Sequence, residues 1–123
     1  QLGFPQKSVE TTLEKLHSLN LVNDEIFARS WAGGRAEGRG YGPLRIEREL
    51  RQKGIAKPLI SQVVKETFGR EEGKEKARGL LAKRFRGKDL GDRKVLHRAI
   101  GFLQRRGYRS SVIAQVLKLS LED

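Results

Sequence analysis

The residues with the clearest chemical potential in this sequence are arginines that cluster in two stretches. A guanidinium group donates paired hydrogen bonds to phosphates and carboxylates, so such clusters are typical of anion binding. We predict binding of a partner or DNA by eight residues in and near these stretches: Arg35, Arg39, Tyr41, Arg45, Arg48, Arg98, Arg105 and Arg106. The alternative for any single arginine is an ordinary solvated helix face.

Residues that could support catalysis or bind metal are scarce. His17 and His97 lie eighty residues apart, the chain has no cysteine, and no carboxylate cluster has the spacing of metal ligands. The sequence also lacks the glycine-rich phosphate loop that ends in Lys-Ser or Lys-Thr. We therefore predict no enzyme activity, no metal and no cofactor.

Net charge supports a polyanionic partner. The chain has 26 Lys and Arg against 15 Asp and Glu, a formal charge of +11. Residues 1–34 carry three basic and four acidic side chains, whereas residues 70–118 carry fifteen basic and five acidic ones. The positive electrostatic potential of such a basic region attracts polyanions. Nucleic acid is the first candidate, acidic protein surfaces the second and anionic membranes the third.

The cellular setting is predicted from what the sequence lacks. No apolar run approaches the roughly 20 residues of a membrane span, and no stretch resembles a signal peptide. The absence of cysteine is compatible with a reducing compartment. We expect a soluble, cytoplasmic protein, and a fragment or processed chain because it begins at Gln1 and contains no methionine.

The arginines are positioned by helices, the clearest of which starts near Pro43. Proline suits the first helical position because its missing N–H would have no partner there. Ile46 and Leu50 lie four residues apart on one apolar face, and Gly54 can adopt the left-handed conformation that ends a helix. The sequence therefore predicts a short amphipathic helix that presents Arg45 and Arg48 away from its buried stripe.

A repeat of about fifty residues organises the chain. Gly3, Gly54 and Gly107 are 51 and 53 residues apart. Each is followed at offsets of six and ten by apolar residues: Val9 and Leu13, Ile60 and Val64, Ile113 and Leu117. We predict an all-α chain of tandem three-helix repeats, elongated and modular, with about seven helices. The predicted units are a fragment at residues 1–22 and complete repeats at 23–69 and 70–123.

The region before Pro43 is predicted as two helices and a loop. The first spans residues 5–20, Asn23-Asp24 caps the second, and Gly33-Gly34 indicates that the second ends early or packs closely against another backbone. Residues 33–42 contain five glycines, which suits either a base-stacking RGG-type tract or a helix end followed by a loop. Trp31 is predicted as a core residue, with base stacking as the alternative.

Two stretches resemble the RecX family, small all-helical regulators of the RecA recombinase. The run G-Y-G-P-L-R-I-E-R-E-L-R-Q-K-G-I at residues 40–55 resembles the family signature, and F-L-Q-R-R-G-Y at residues 102–108 resembles its third repeat. Phe27-Ala28, Arg35 and the glycines that follow also fit the pattern, from which Gly33-Gly34 departs. The resemblance implies a regulator that binds the RecA filament and modulates its recombinase and ATPase activities by inhibition. It also implies a role in DNA recombination, DNA repair and the SOS response. We expect a monomer, and the charge of +11 predicts that it binds bare DNA weakly and without sequence preference.

A second hypothesis is a nucleic-acid-binding repeat of the helix-turn-helix or Myb kind. Tandem three-helix units of this size are found in that class too. The last helix of each unit would then read bases, but its outer face carries few suitable side chains, for example Gln62 and Gln115. Myb-like repeats carry several tryptophans each, whereas this chain has one in all.

Overall fold

The computed structural model describes residues 6–122, with side chains from residue 11 onward. Of the repeat positions, Gly3 therefore lies outside the described residues, and the side chain of Val9 is not described. Residues 6–122 form six helices and no strand. The helices are α1 (Gln6–Arg39), α2 (Pro43–Gln52), α3 (Lys57–Phe68), α4 (Lys74–Arg84), α5 (Arg93–Arg106) and α6 (Ser110–Glu122). The all-α prediction is confirmed.

The helices build two modules, each with its own hydrophobic core. In the N-terminal module, the second half of α1 packs with α2 and α3. Its most deeply buried side chains are Ala28, Ala32, Ile46, Leu50 and Val63. In the C-terminal module, α4 and α5 pack on α6. The most deeply buried side chains of this second module are Ala77, Leu81, Ala99, Leu103 and Val116. Each module is thus one repeat of the kind that the glycine period predicts.

Helix α2 has the limits that its sequence predicts. Pro43 is its first residue, and the chain leaves it through Gly54 at φ +83°. The N–H of Ile55 donates to the carbonyl of Leu50 at 3.1 Å, which satisfies one of the last helical acceptors. Ile46 and Leu50 are fully buried. These two buried side chains set which face of α2 points toward the core, and so also which face carries its arginines.

The prediction of two separate helices before Pro43 is wrong, which reduces the helix count from seven to six. Asn23-Asp24 caps nothing, because α1 is continuous from Gln6 to Arg39, and Gly33, Gly34 and Gly38 lie inside it. Gly33 and Gly34 do not pack closely either, since a Cβ at either would meet no atom within 4 Å. Each glycine costs about 1 kcal/mol in a helix. Tertiary packing offsets this cost, because buried alanines at 28, 32 and 36 hold this stretch against the module core.

For the C-terminal module, the sequence predicts Glu71, Glu72 and Glu75 in the first turn of one helix, Asp92 as the cap of the next, and Ser110 or Ser111 as the cap of the last. Glu71 and Glu72 are not in the first turn of α4 as predicted; they lie in the turn before Lys74, and Glu72 has φ +52°. Asp92 does cap α5, with its Oδ1 accepting a hydrogen bond from the N–H of Lys94 at 2.8 Å. Helix α6 begins at Ser110, one of the two serines predicted near its start.

The shape is expanded for the mass of the chain. The accessible surface is 8980 Å², against roughly 6,700 Å² for a compact monomer of this size. Much of the excess comes from the first half of α1, where residues 11–22 are exposed.

We expect solution scattering to give a radius of gyration clearly above the roughly 14 Å of a compact globule of 123 residues. The reason is that the first half of α1 projects beyond the N-terminal module. A value of about 14 Å in a monomeric sample would contradict the elongated arrangement.

Candidate binding site: a basic cleft between the modules

The two modules are joined where the start of α2 meets the end of α5. The N–H of Gly42 donates to the carbonyl of Arg106 at 2.7 Å, and the N–H of Leu44 donates to the carbonyl of Gly107 at 2.9 Å. Pro43, between them, has no N–H. The start of α2 has no side-chain cap, so carbonyls of the other module satisfy donors that a helix start leaves unpaired. We call this contact the module junction.

Two glycines allow the backbones to approach this closely at the junction. A Cβ on Gly42 would lie 2.6 Å from the carbonyl oxygen of Gly107, and a Cβ on Gly107 would lie 2.5 Å from the backbone nitrogen of Arg45. Neither separation is possible for real atoms. Gly107 also has φ +96°, which only glycine adopts without strain. Both positions therefore require glycine.

Side chains reinforce the junction on both sides. The hydroxyl of Tyr108 donates to the carbonyl of Gly40 at 2.9 Å, and burial raises the pKa of Tyr108 to about 12. The Arg45 guanidinium donates to the carbonyl of Arg105 at 3.1 Å, and Arg106 donates to the carbonyl of Arg39. These bonds cross between the modules in both directions, so they fix the relative position of the modules.

Beside the junction lies an open cleft of about 1040 Å³ with walls from both modules. The end of α1 and the start of α2 form one wall, and α4 and the end of α5 form the other. Seven cationic side chains line it: Arg39, Arg45, Lys76, Lys83, Arg84, Arg105 and Arg106. Two acidic side chains, Glu37 and Glu75, also line the cleft, and Glu37 pairs with Lys76. The lining is therefore strongly cationic, and we call it the basic cleft.

Aromatic rings hold several of these cations in place. The Arg45 guanidinium lies 3.8 Å from the ring centroid of Tyr41, while those of Arg84 and Arg106 lie 5.6 and 5.2 Å from the ring centroid of Phe102. Both rings are more than nine-tenths buried. Their accessible faces are thus already covered by guanidinium groups, which leaves little ring surface for a nucleobase to stack on. The cleft is suited to phosphates or carboxylates instead.

The structure brings five of the eight predicted binding residues together. Arg39, Tyr41, Arg45, Arg105 and Arg106 all line the basic cleft. A hydrogen bond with the Arg39 guanidinium lowers the pKa of Tyr41, and the charge of Arg45 acts in the same direction. The ring of Tyr41 therefore links two of the cations that come from the end of α1 and the start of α2.

The other three predicted residues lie elsewhere. Arg98 lines a smaller adjoining pocket of about 220 Å³ that shares Arg105 with the cleft. Arg48 is exposed and is not part of the cleft lining. Arg35 lies over the ring of Trp31, 4.1 Å from its centroid. Trp31 itself is only partly buried at the edge of the N-terminal core, and its indole N–H donates to Glu49 at 3.0 Å.

Sequence reasoning missed three cations of the cleft: Lys76, Lys83 and Arg84. Lys83 and Arg84 form the basic last turn of α4, as Arg39 does for α1 and Arg105 and Arg106 do for α5. A search for basic pairs at helix ends would have found Lys83 and Arg84, but not Lys76, which lies in the first turn of α4. Their convergence could not be seen in the sequence, because it depends on how the module junction places α4 against α1.

Fold and site together define a tandem three-helix repeat protein with a cationic cleft between its repeats. Comparison with known families identifies which family of repeat proteins this is. The family model for the second three-helix domain of RecX matches residues 23–64, and that for the third three-helix domain of RecX matches residues 71–117. The chain belongs to the RecX family.

Individual relatives agree with this assignment. "Regulatory protein RecX" of Streptomyces coelicolor is 35% identical over 98% of this chain, and that of Amycolatopsis mediterranei is 34% identical over 98%. The protein of the same name from Trichlorobacter lovleyi is 32% identical over 96%. The matched region spans 64%, 69% and 78% of these three relatives, respectively. No solved structure matches the chain.

Two further observations concern membranes and metals. None of the helices between residues 6 and 122 is long and apolar enough to cross a membrane. The same part of the chain contains no group of three or more His, Asp or Glu side chains placed to hold a metal ion.

Proposed function

We propose that this chain is a non-enzymatic regulator of RecA that binds the filament of RecA on DNA and lowers its recombinase and ATPase activities. The observation that carries the proposal is the basic cleft, where seven cationic side chains from two rigidly joined modules converge. Membership of a family whose relatives are named regulatory proteins supports it. In this proposal the protein acts as a monomer in the cytoplasm.

The chemistry of the cleft fits such a partner. A filament of protein on DNA offers both phosphates and carboxylates, and arginine binds either with paired hydrogen bonds. Because the cleft walls come from two modules, a bound anionic segment would contact both at once. Binding would then depend on the junction as well as on the cations.

A direct test follows the ATPase activity of RecA on single-stranded DNA while this protein is added. We expect the rate of ATP hydrolysis to fall as the protein concentration rises, because anionic groups of the filament that the basic cleft binds are then no longer free. The same protein added to RecA without DNA serves as the control for non-specific effects. Unchanged hydrolysis at saturating protein would contradict the proposed function.

Bare DNA should be bound weakly and without sequence preference. The reason is that the aromatic rings of the cleft are covered and its free groups are cations, so that contacts are made with phosphates. Each phosphate contact should contribute about −0.9 to the slope of log affinity against log salt for duplex DNA. Fluorescence anisotropy with one labelled duplex and its scrambled counterpart, over a series of salt concentrations, measures both properties.

The outcome of that titration separates the two hypotheses for this fold. The basic cleft lies at the ends of α1, α4 and α5, whereas a Myb-like protein would read bases with α3 and α6. A preference of about a thousandfold for one duplex at physiological salt, as specific DNA-binding proteins show, would favour the Myb-like alternative.

A further inference from the structure

We propose that the C-terminal module has a second anion site, separate from the basic cleft, which binds the phosphates of a DNA strand. The site is a pocket of about 220 Å³ between α4, α5 and the connection that joins them. We call it the α4–α5 pocket; it is lined by Arg84, Phe85, Lys88, Arg98, Phe102 and Arg105. The proposal adds a DNA contact to the proposed function, but it does not rest on the regulation of RecA.

The lining of this pocket carries only one sign of charge. Arg84 is in the last turn of α4, Lys88 is in the connection between the two helices, and Arg98 and Arg105 are on α5. The other two lining residues are phenylalanines. The basic cleft, in contrast, has two acidic residues in its lining. The α4–α5 pocket is thus smaller than the cleft and more uniformly cationic.

The acidic side chains nearest in the sequence already bind the backbone. Residues 84–106 contain eight Lys and Arg but only two acidic residues, Asp89 and Asp92. The Oδ1 atom of Asp89 accepts a hydrogen bond from the N–H of Gly91 at 2.9 Å, and that of Asp92 accepts one from the N–H of Lys94 at 2.8 Å. Neither carboxylate lines the pocket. The charge of the pocket is therefore not neutralised from within this segment.

The cations of the α4–α5 pocket also lack partners elsewhere in the described part of the chain. Arginines of α1 and α2 pair with glutamates. The four cationic side chains of the pocket make no such pair and no side-chain hydrogen bond within the described residues. Arg84 does contact the ring of Phe102, with its guanidinium carbon 5.6 Å from the ring centroid. Like charges that share a pocket without a counter-ion repel one another, so an anion that binds there relieves this repulsion.

The chemistry of the lining favours phosphate over an acidic peptide. Lys and Arg side chains donate hydrogen bonds and accept none, and the phenylalanine rings offer no conventional acceptor. The N–H groups of a bound peptide would therefore find no acceptor among these side chains. The phosphates of a nucleic acid offer only acceptors, and each nucleotide brings one negative charge. Phosphate is thus the anion that this lining can bind without leaving a donor of the ligand unpaired.

The position of the pocket indicates a strand rather than a small phosphate. It shares Arg84, Phe102 and Arg105 with the basic cleft, so the two sites adjoin. Arg98 and Arg105 are separated by about 10 Å along α5, at 1.5 Å per residue, and Lys83 extends the row of cations into the cleft. A row of this length can contact successive phosphates of one strand, whereas a single phosphate could not reach all of its members.

The test neutralises Lys88 and Arg98, the two cations that line this pocket but not the cleft. We would measure binding of the Lys88→Gln, Arg98→Gln variant to a labelled duplex by fluorescence anisotropy over a series of salt concentrations. Losing two phosphate contacts should make the slope of log affinity against log salt shallower by about 1.8 and lower the affinity at least about fivefold, equally for different sequences. Because both side chains are exposed, the melting temperature should not fall.

The matched control is Arg93→Gln with Lys94→Gln. These two cations are exposed at the start of α5 and line neither site, and their loss lowers the net charge by the same amount. We expect this pair to change the salt slope by less than about 0.5, because neither side chain contacts a phosphate. Equal changes in the two variants would overturn the proposal, since net charge alone would then explain binding. Unchanged affinity and slope in the Lys88 and Arg98 variant would overturn it as well.

Competition with small anions tests the class of ligand. We expect inorganic pyrophosphate to displace the labelled duplex at a lower concentration than citrate, which has a similar charge near neutral pH, and this difference to disappear in the Lys88 and Arg98 variant. Equal displacement by the two anions would contradict the assignment to phosphate. Tighter binding of pyrophosphate than of the duplex, abolished by the same substitutions, would contradict the assignment to a strand. All these measurements use the protein without RecA, so their failure is distinguishable from failure of the ATPase test.

Discussion

Replacing Gly107 with alanine should destabilise the protein by about 2–5 kcal/mol. Two effects add: a left-handed conformation costs a residue with a Cβ about 1–2 kcal/mol, and the forced overlap with the backbone of Arg45 costs a further 1–3 kcal/mol. Chemical denaturation monitored by circular dichroism would measure the loss. Because the overlap lies at the module junction, hydrogen exchange at the N–H of Leu44 should also accelerate, since its acceptor is the carbonyl of Gly107.

The repeat supplies a matched control at Gly54. That glycine has nearly the same positive φ but open space around it, so Gly54→Ala should cost only the conformational part, about 1–2 kcal/mol. The difference between the two substitutions isolates the contribution of the junction. Equal losses of stability would mean that the modules do not need the close backbone contact that the structure shows.

Reversing two charges in the basic cleft should weaken inhibition of RecA at least about tenfold while the fold stays intact. We choose Lys83→Glu with Arg105→Glu, because both side chains line the cleft and neither makes a described hydrogen bond or ion pair. A charged contact that is desolvated at an interface contributes about 2 kcal/mol or more. The concentration that halves the ATPase rate measures the effect, and circular dichroism reports the helical content.

The control for this variant is Arg48→Glu with Arg51→Glu on α2. Both arginines are exposed and lie outside the cleft, and the change in net charge is the same. We expect less than about a threefold effect, because an exposed charge away from the interface acts only through a screened field. If the two double reversals weakened inhibition equally, the net charge of the protein rather than the cleft would be responsible for binding.

The sequence predicts most of the fold because its signals are local. Pro43 and Gly54 set the limits of α2, Asp92 caps α5, and the period of the glycines gives the number and length of the repeats. The continuous α1 could not be predicted in the same way. Its glycines argue against a helix locally, and the contacts of Ala28, Ala32 and Ala36 that outweigh them are tertiary.

The candidate site was only partly predictable, for a related reason. The sequence shows that Arg45 and Arg106 carry charge, but not that Arg45 lies on Tyr41 and bonds to the C-terminal module, or that Arg106 bonds to the end of α1. The two motifs that carry the family resemblance meet at the junction, where each supplies a glycine that the other requires. For this reason Arg45 is a poor choice for testing binding, because its loss would disturb the junction as well.

The module junction also has an electrostatic consequence for the cleft. The last carbonyls of a helix carry about half a negative charge and the first N–H groups about half a positive one, because the peptide dipoles are aligned. At the junction the start of α2 is bonded to the end of α5, so these partial charges neutralise each other. Arg105 and Arg106 lie in the last turn of α5, where the negative helix end would ordinarily offset part of their charge. With that end neutralised by α2, more of their positive potential extends into the solvent of the cleft, where an incoming anion would meet it.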